Sequence, residues 1–428
     1  MASECFSAKL TGACSMDSVK LEVSGNNLDT LMPIASVSKI YTSLMTVTAF
    51  NLDYKFYAQI YVTPVSANMF DVHIKGARDP YFNKFKMHMI ISKLNEMNVT
   101  QIRNLTFDEN VKYLHETDSS RGFRVGRMLI QPLVLKADLD FPNPEIVKYE
   151  LSQTTVILKS YKDSFKLAKA NDIELFNNPV FKVIKTSYLP SDQFKPTFNV
   201  QKIFVSSQNI RTMLKSMNWN SNNHAANQMF TAAGGIARFN KLYYRDFKQT
   251  EKDVIFINGS GQNHDLTDEG RIYNQATCRN VLRTLHMLNK SAKSQKFELH
   301  DIMSVVGTDR LSTVGGTAYT NSLTSGSVIA KTGTVGTNIT LAGIAYTQKG
   351  QKYFMYNVQL KSSSKSEARN ARRLISIELN KLIKNNGGPI KLKYESQNPL
   401  NDNLENYDED APTESAEMII SSLFDKIK

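Results

Sequence analysis

The sequence predicts a chain of the α/β (α+β) class, with strands and helices both present in a packed core. Three observations carry that prediction. Val37, Ile40, Leu44 and Val47 recur at steps of three and four, the period of a helix with one apolar face. Residues 328–334, 341–346 and 353–360 instead alternate and are rich in β-branched and aromatic side chains, as strands are. At 428 residues, with 41% apolar and 10% aromatic content, the chain can fill two or three domains with packed cores.

The elements follow in order. Pro33 stands just ahead of the first helix, where its fixed φ suits a helix start, and puts Ser36 near the helix N-terminus. Residues 69–74 and 154–158 alternate like strands, 84–95 have helical periodicity and 138–144 are loop-like, which together read as a small α+β insertion. Residues 206–217 and 274–288 read as helices, and 341–346 with 353–360 as a strand pair. A long helix then opens with Ser364-Lys365-Ser366-Glu367, a capping box, and buries Ala368, Ala371, Ile375, Leu379 and Leu382. Asn385-Asn386-Gly387-Gly388-Pro389 ends it. The acidic, Asn-rich residues 401–417 read as an exposed linker, and 418–427 as a short amphipathic helix or a disordered end.

Ser36-Val37-Ser38-Lys39, Ser221-Asn222-Asn223 and Lys331-Thr332-Gly333 carry the chemistry. The step from Ser36 to Lys39 sets hydroxyl and amine side by side on one helix face. A serine becomes a nucleophile when a neighbouring base takes its proton, and a lysine is that base only if burial or a second cation lowers its pKa. Lys331 is the candidate second cation. Ser221 offers a hydroxyl to relay a proton to a leaving group, the Asn223 amide can hold a substrate peptide bond from both sides, and Asn222 is expected to point elsewhere. Lys331, Thr332 and Thr334 lie on a strand edge, and Gly333 lets substrate approach the backbone closely. A second Ser-x-x-Lys, Ser362–Lys365, is absorbed by the start of the long helix. His224 and Trp219 read as helix or packing residues, and Ser260 as a turn residue between glycines.

The motifs, in this order, resemble those of class C penicillin-binding proteins of the D-alanyl-D-alanine carboxypeptidase/endopeptidase family. Residues 33–42 look like that family's nucleophile helix, and Ile257-Asn258-Gly259-Ser260-Gly261 like its Asp-Gly-Ser-Gly segment ahead of a helix. Val305-Val306-Gly307-Thr308, residues 330–334 and the strand at 341–346 are similar to its closing stretch. The resemblance covers roughly residues 20–80 and 200–385. It implies a penicillin-binding/β-lactamase-like transpeptidase fold, an antiparallel sheet flanked by helices plus an all-helical subdomain, with one domain split between 1–65 and 201–385, an insertion over 66–200 between the first two motifs, and a tail over 386–428. It also implies an acyl-serine DD-peptidase: Ser36 as nucleophile, Lys39 as base, Ser221 and Asn223 beside them, and the N–H groups of Ser36 and Thr334 facing the oxyanion. Lys331, Thr332, Gly333 and Thr334 would hold a terminal carboxylate. The implied partners are peptidoglycan stem peptides and cross-links, with β-lactams as covalent inhibitors, in a periplasmic or exported setting.

The chain also departs from the family. The middle motif is Ser-Asn-Asn, the insertion is shorter than the usual double one, and Gly76-Ala77-Arg78-Asp79-Pro80 replaces a run of glycines, which implies a different turn. The alternatives are a β-lactamase or esterase on the same scaffold, for which no deacylating glutamate is identifiable, and a catalytically silent wall-binding module.

Net charge is +12, but residues 397–428 carry eight acids and two bases, a balance of −6, so residues 1–396 carry +18. Such a body either favours anionic wall polymers or membrane faces or simply serves solubility. No nucleic-acid recognition motif accompanies the charge, so no nucleic-acid partner is expected. No apolar run reaches the roughly 20 residues of a membrane span, and the N-terminus lacks the basic-then-apolar pattern of a signal peptide. Of the three cysteines, Cys5 and Cys14 are the expected pair, with three reduced thiols as the alternative. The seven histidines include no zinc-like pair, so neither metal nor cofactor is expected.

Overall fold

The computed structural model of the chain describes residues 9–82, 90–91, 93–111, 124–125, 128–129, 182–262, 264–267, 270–310, 312–316 and 318–396. The described residues fall into two units, one of 9–53 with 210–396 and one of 54–209.

The first unit is built on a six-stranded antiparallel sheet. Its strands are β1 (Lys9–Asp17), β2 (Val23–Asn26), β15 (Ser304–Val305), β16 (Val328–Val335), β17 (Asn338–Thr347) and β18 (Gly350–Gln359), in the order β15-β16-β17-β18-β1-β2. In β18 every residue from Tyr353 to Val358 is buried, so both faces of the sheet are covered. On one face Phe354, Tyr356 and Val358 pack with Ala371, Ile375, Leu379 and Ile383 of the last helix, Lys365–Asn385. On the other, Tyr353 meets a helix at Cys278–Ser294: its hydroxyl accepts from Asn289 Nδ2 at 3.0 Å and its ring lies edge-on to His286. The last helix starts as expected, with the Ser364 hydroxyl accepting from Glu367 N. The Glu367 carboxylate bonds Ser362 N, so the reciprocal arm of the box closes two residues upstream of the cap.

The nucleophile segment begins as a 3₁₀ turn, Ala35–Val37, and continues as α1 (Ser38–Ala49). Its apolar stripe predicted one buried face, but all twelve residues of α1 are buried. A helix enclosed on all sides must satisfy its polar groups internally. Thr42 Oγ1 therefore donates to Gly259 O (2.7 Å), Ser43 Oγ to Lys39 O (2.7 Å) and Thr46 Oγ1 to Thr42 O (2.9 Å).

The helix expected from residue 206 starts later. Strand β10 (Gln201–Asn209) occupies that stretch and α2 runs Ile210–Asn220. Helices α3 (Asn223–Ala232) and α4 (Gly235–Asn240) follow, the latter passing into a π-helical turn, Lys241–Asp246. With α1 these make the helical part of the unit. The helix expected from residue 274 is α5, Cys278–Ser294, because Thr277 caps it by accepting from Asn280 N. A hairpin, β12 (His264–Thr267) with β13 (Gly270–Ile272), separates it from the Gly259-Ser260-Gly261 segment, so that segment does not lead straight into a helix. The short strands β3 (Met32–Pro33), β11 (Val254–Ile255) and β14 (Gln275–Ala276) pair in a small sheet of this unit, and β7 (Arg124–Val125) pairs with β8 (Met128–Leu129) in the other. The last helix of the unit is α6, Lys365–Asn385.

The expected Cys5–Cys14 pairing is corrected: the disulfide joins Cys14 on β1 to Cys278 at the start of α5, 264 residues apart. A short loop favours pairing only if the backbone brings the two thiols together, and here the packing of α5 on the sheet brings a distant one instead.

The second unit is a mixed five-stranded sheet in the order β10-β4-β5-β6-β9, with β4 (Lys55–Ser66), β5 (Met69–Lys75), β6 (Gln101–Phe107) and β9 (Lys182–Tyr188). β4 pairs antiparallel with β10 and β5, whereas β6 is parallel to β5 and β9. Its core holds Ile60, Val72, Ile74, Ile91, Leu94, Leu105 and Phe107. The insertion read at 66–200 falls within this unit. The strand expected at 154–158, the loop at 138–144 and the tail segments at 401–427 lie outside the described residues, as does part of the 84–95 helix.

Candidate active site

Two buried lysines organise the site. Lys39 Nζ lies 3.0 Å from Ser36 Oγ and donates to Asn223 Oδ1 (2.7 Å) and to the backbone carbonyl of Ser260 (3.1 Å). Lys331 Nζ donates to Ser221 Oγ (2.9 Å) and to Thr332 O (3.0 Å). Both are fully buried. Burial, with the Lys331 charge second, holds the Lys39 amine well below the usual lysine range, and burial lowers Lys331 to about 7.

The backbone delivers these groups from four places. Ala35, just before Ser36, has φ +48°, and Ser221 has φ +55°. Left-handed backbone at non-glycine residues costs roughly 1–3 kcal/mol and persists only where its surroundings fix it. At Ala35 those surroundings include Ser38, whose hydroxyl donates to Ala35 O at 2.6 Å. At Ser221 the next residue, Asn222, caps α3 by accepting from Ala225 N at 3.0 Å. Asn222 spends its side-chain oxygen on this cap, and Ser221 and Asn223 on either side of it reach different lysines.

Lys331 and Thr332 lie on β16, which pairs with β17 through Lys331↔Ala342 and Gly333↔Thr340. Thr332 is half-buried and Thr334 exposed. Gly333 is constrained by its folded neighbours as well. A Cβ there would stand 2.3 Å from Thr340 Oγ1 and 2.9 Å from Ile34 O, so the missing side chain makes room for the neighbouring strand and the nucleophile turn.

Ser260 is the site residue that the sequence reading passed over. Its contribution is a carbonyl, which no side-chain pattern reveals. The loop that aims it is held by asparagines: Ser260 N donates to Asn227 Oδ1 (2.9 Å), Gly261 N to Asn258 Oδ1 (2.8 Å) and Asn274 Nδ2 to Asn258 O (2.7 Å). Asn274 O also accepts from Ile34 N at 3.1 Å, tying the loop to the nucleophile turn. The usable signal was the density of asparagines around two glycines. Trp219 is buried, as expected of a packing residue. Among the described residues no cluster of histidine, cysteine or acidic side chains has the form of a metal site.

Residues 199–383 match a family profile described as the beta-lactamase enzyme family. No curated protein sequence matches the chain. Among solved structures, Bd3459, a predatory peptidoglycan endopeptidase from Bdellovibrio bacteriovorus, is 30% identical. The match covers 92% of this chain and 96% of that one, with a TM-score of 0.80. Bd0816, a predatory endopeptidase of the same organism in complex with immunity protein Bd3460, is also 30% identical, with 91% and 97% covered and a TM-score of 0.79. Penicillin binding protein 4 from Haemophilus influenzae, 14% identical with 87% and 96% covered, shares the fold at a TM-score of 0.60.

Proposed function

As the chain belongs to the penicillin-binding protein family of class C D-alanyl-D-alanine carboxypeptidases/endopeptidases, we propose that it is a serine DD-peptidase cleaving peptidoglycan cross-links through an acyl-serine intermediate. One observation carries the catalytic assignment. A neutral lysine amine has two N–H groups and one lone pair. Two partners of Lys39, Asn223 Oδ1 and Ser260 O, can only accept, and between them they take both N–H groups. The lone pair is left for the remaining partner, the Ser36 hydroxyl at 3.0 Å. The amine whose neutral form burial favours is thus also aimed as a base.

In this mechanism Ser36 O–H gives its proton to Lys39 as Oγ attacks the carbonyl carbon preceding a D-residue. The N–H groups of Ser36 and Thr334 stabilise the oxyanion. Collapse breaks the C–N bond, and the proton passes from Lys39 through Ser221 to the leaving amine. Water then attacks the acyl-enzyme with Lys39 again as base. Asn223 Oδ1 accepts from Lys39, and its second lone pair and Nδ2 can hold the substrate peptide bond from both sides. Lys331, Thr332 and Thr334 hold a carboxylate at the leaving-group end.

The endopeptidase reading is favoured over the carboxypeptidase one because Bd3459, matched over nearly its whole length, is a peptidoglycan endopeptidase. Digestion of purified sacculi tests it. Loss of cross-linked dimers with a matching gain of monomers is expected, whereas release of free D-alanine alone would assign carboxypeptidase activity. Bd0816 is seen bound to an immunity protein, and an inhibitory protein partner is proposed for this chain as well. A periplasmic or exported setting is proposed with the wall substrate, and the Cys14–Cys278 disulfide supports it. No helix of the described residues is long and apolar enough to cross a membrane.

A further inference from the structure

Away from Ser36, a second buried charge system joins the element that carries Ser221 to the sheet that carries Lys331. Asp309 has no exposed surface and Lys215, on α2, is 6% exposed. Asp309 Oδ2 accepts from Lys215 Nζ (2.7 Å) and from Val305 N (2.8 Å). Its Oδ1 accepts from Tyr394 O–H (2.9 Å) and Ser396 O–H (2.8 Å). Lys215 Nζ also donates to His300 O and Met303 O, at 2.9 and 2.7 Å.

The two ends of this network lead to the two partners of the Ser221–Lys331 hydrogen bond. Lys215 lies on the helix whose end, Asn220, precedes Ser221. Val305 lies on β15, paired to Ile329, two residues before Lys331 on β16. The main chain of Asp309 adds a third tie. Its carbonyl accepts from Ser312 N at 2.9 Å, and the next residue, Thr313, donates its N–H to Trp219 O at 3.0 Å, two residues before Ser221. Residues 390–396 close the other carboxylate oxygen as a strap along the sheet, with Ile390 N on Tyr346 O (2.9 Å) and Leu392 N on Gly326 O (2.7 Å).

A buried ion pair is a weak source of stability, because desolvating both charges offsets their attraction. Four hydrogen bonds converging on one carboxylate, from a helix, a strand and a strap, do fix relative position. We propose that Asp309 is a positioning residue for proton relay: it sets α2 against β15–β16, so that Ser221 Oγ meets Lys331 Nζ, and the 390–396 strap holds it there. The proposal deepens the acyl-serine reading and rests on it.

The test is the second-order rate constant for acylation of Ser36 by benzylpenicillin, measured well below each variant's unfolding midpoint, in wild-type and Ser221→Ala backgrounds. Because misplacement of a reacting group by about 1 Å costs on the order of a hundredfold, Asp309→Asn should slow acylation about tenfold or more in the wild-type background. It should add less than about twofold in Ser221→Ala, where nothing remains to be positioned. The double variant Tyr394→Phe/Ser396→Ala, which spares the ion pair, should repeat the pattern more mildly and stands in if Asp309→Asn does not fold. Ile375→Ala, in the core between α6 and the sheet, serves as a control that lowers the midpoint without lowering the rate. Equal losses in both backgrounds, or no loss, overturn the proposal. Absence of an adduct on the wild type would overturn the acyl-serine reading itself, and the proposal with it.

Discussion

Lys39 and Lys331 are both fully buried, and burial favours the neutral amine. The effect on stability has a definite sign. An unfolded lysine keeps its proton to about pH 10.5, whereas Lys331 in the folded chain loses it near 7, so between those values the unfolded state binds more protons and stability rises with pH. Below about pH 7 the cost of burying the ammonium is present in full. Lys39 shifts in the same direction. The unfolding midpoint of Lys331→Met, measured from pH 7 to 10, should therefore climb less steeply than that of the wild type, and parallel curves would show that Lys331 is not neutralised by burial. For catalysis, replacing Lys39 by Met removes the base but leaves the oxyanion donors, so acylation by benzylpenicillin should slow by about 10²–10⁴-fold. A fall of less than about tenfold would remove Lys39 from the role of base.

At the scale of elements, what could be read in advance was what local pattern encodes. The strands at 328–334, 341–346 and 353–360 and the capped helix beginning at Ser364 alternate or repeat within a few residues, and each appears as expected. The helix expected from Ser206 failed at its start because β10 continues to Asn209, and pairing with β4 is a long-range fact. Gly333 was read as a concession to substrate, and the folded neighbours add a second constraint, with Thr340 and Ile34 crowding the place of a side chain. Gly333→Ala should therefore destabilise the unliganded protein by about 1–3 kcal/mol, as overpacking does. Denaturant unfolding without ligand checks this, and an unchanged midpoint would return Gly333 to the substrate. The three lettered motifs were legible because side-chain chemistry at short spacing is written in the sequence. The Ser260 carbonyl was not, since every residue has one and only the loop held by Asn258 and Asn274 aims it.

For the molecule as a whole, the least legible feature is the Cys14–Cys278 bridge. Its two ends are 264 residues apart, and nothing local announces it. Cross-links over long loops remove the most freedom from the unfolded chain, so Cys278→Ser should cost about 2–5 kcal/mol. The denatured, unreduced protein should titrate one thiol, since one of the three cysteines is left over, and three thiols would contradict the bridge. The site depends on this unit being assembled: Ser36 comes from the 3₁₀ turn and Lys39 from the enclosed helix after it, Ser221 and Asn223 from the junction of two others, Ser260 from a loop and Lys331 from the sheet.

The central claim is that Ser36 forms an acyl-enzyme with Lys39 as its base, and intact-protein mass followed in time after addition of benzylpenicillin tests it most directly. The wild type should gain the mass of one penicillin in a long-lived adduct, and Ser36→Ala should gain none. An adduct that persists on Ser36→Ala, or a wild type that stays unmodified, would contradict the account, and an adduct that vanishes rapidly with hydrolysis of the drug would turn it towards a β-lactamase.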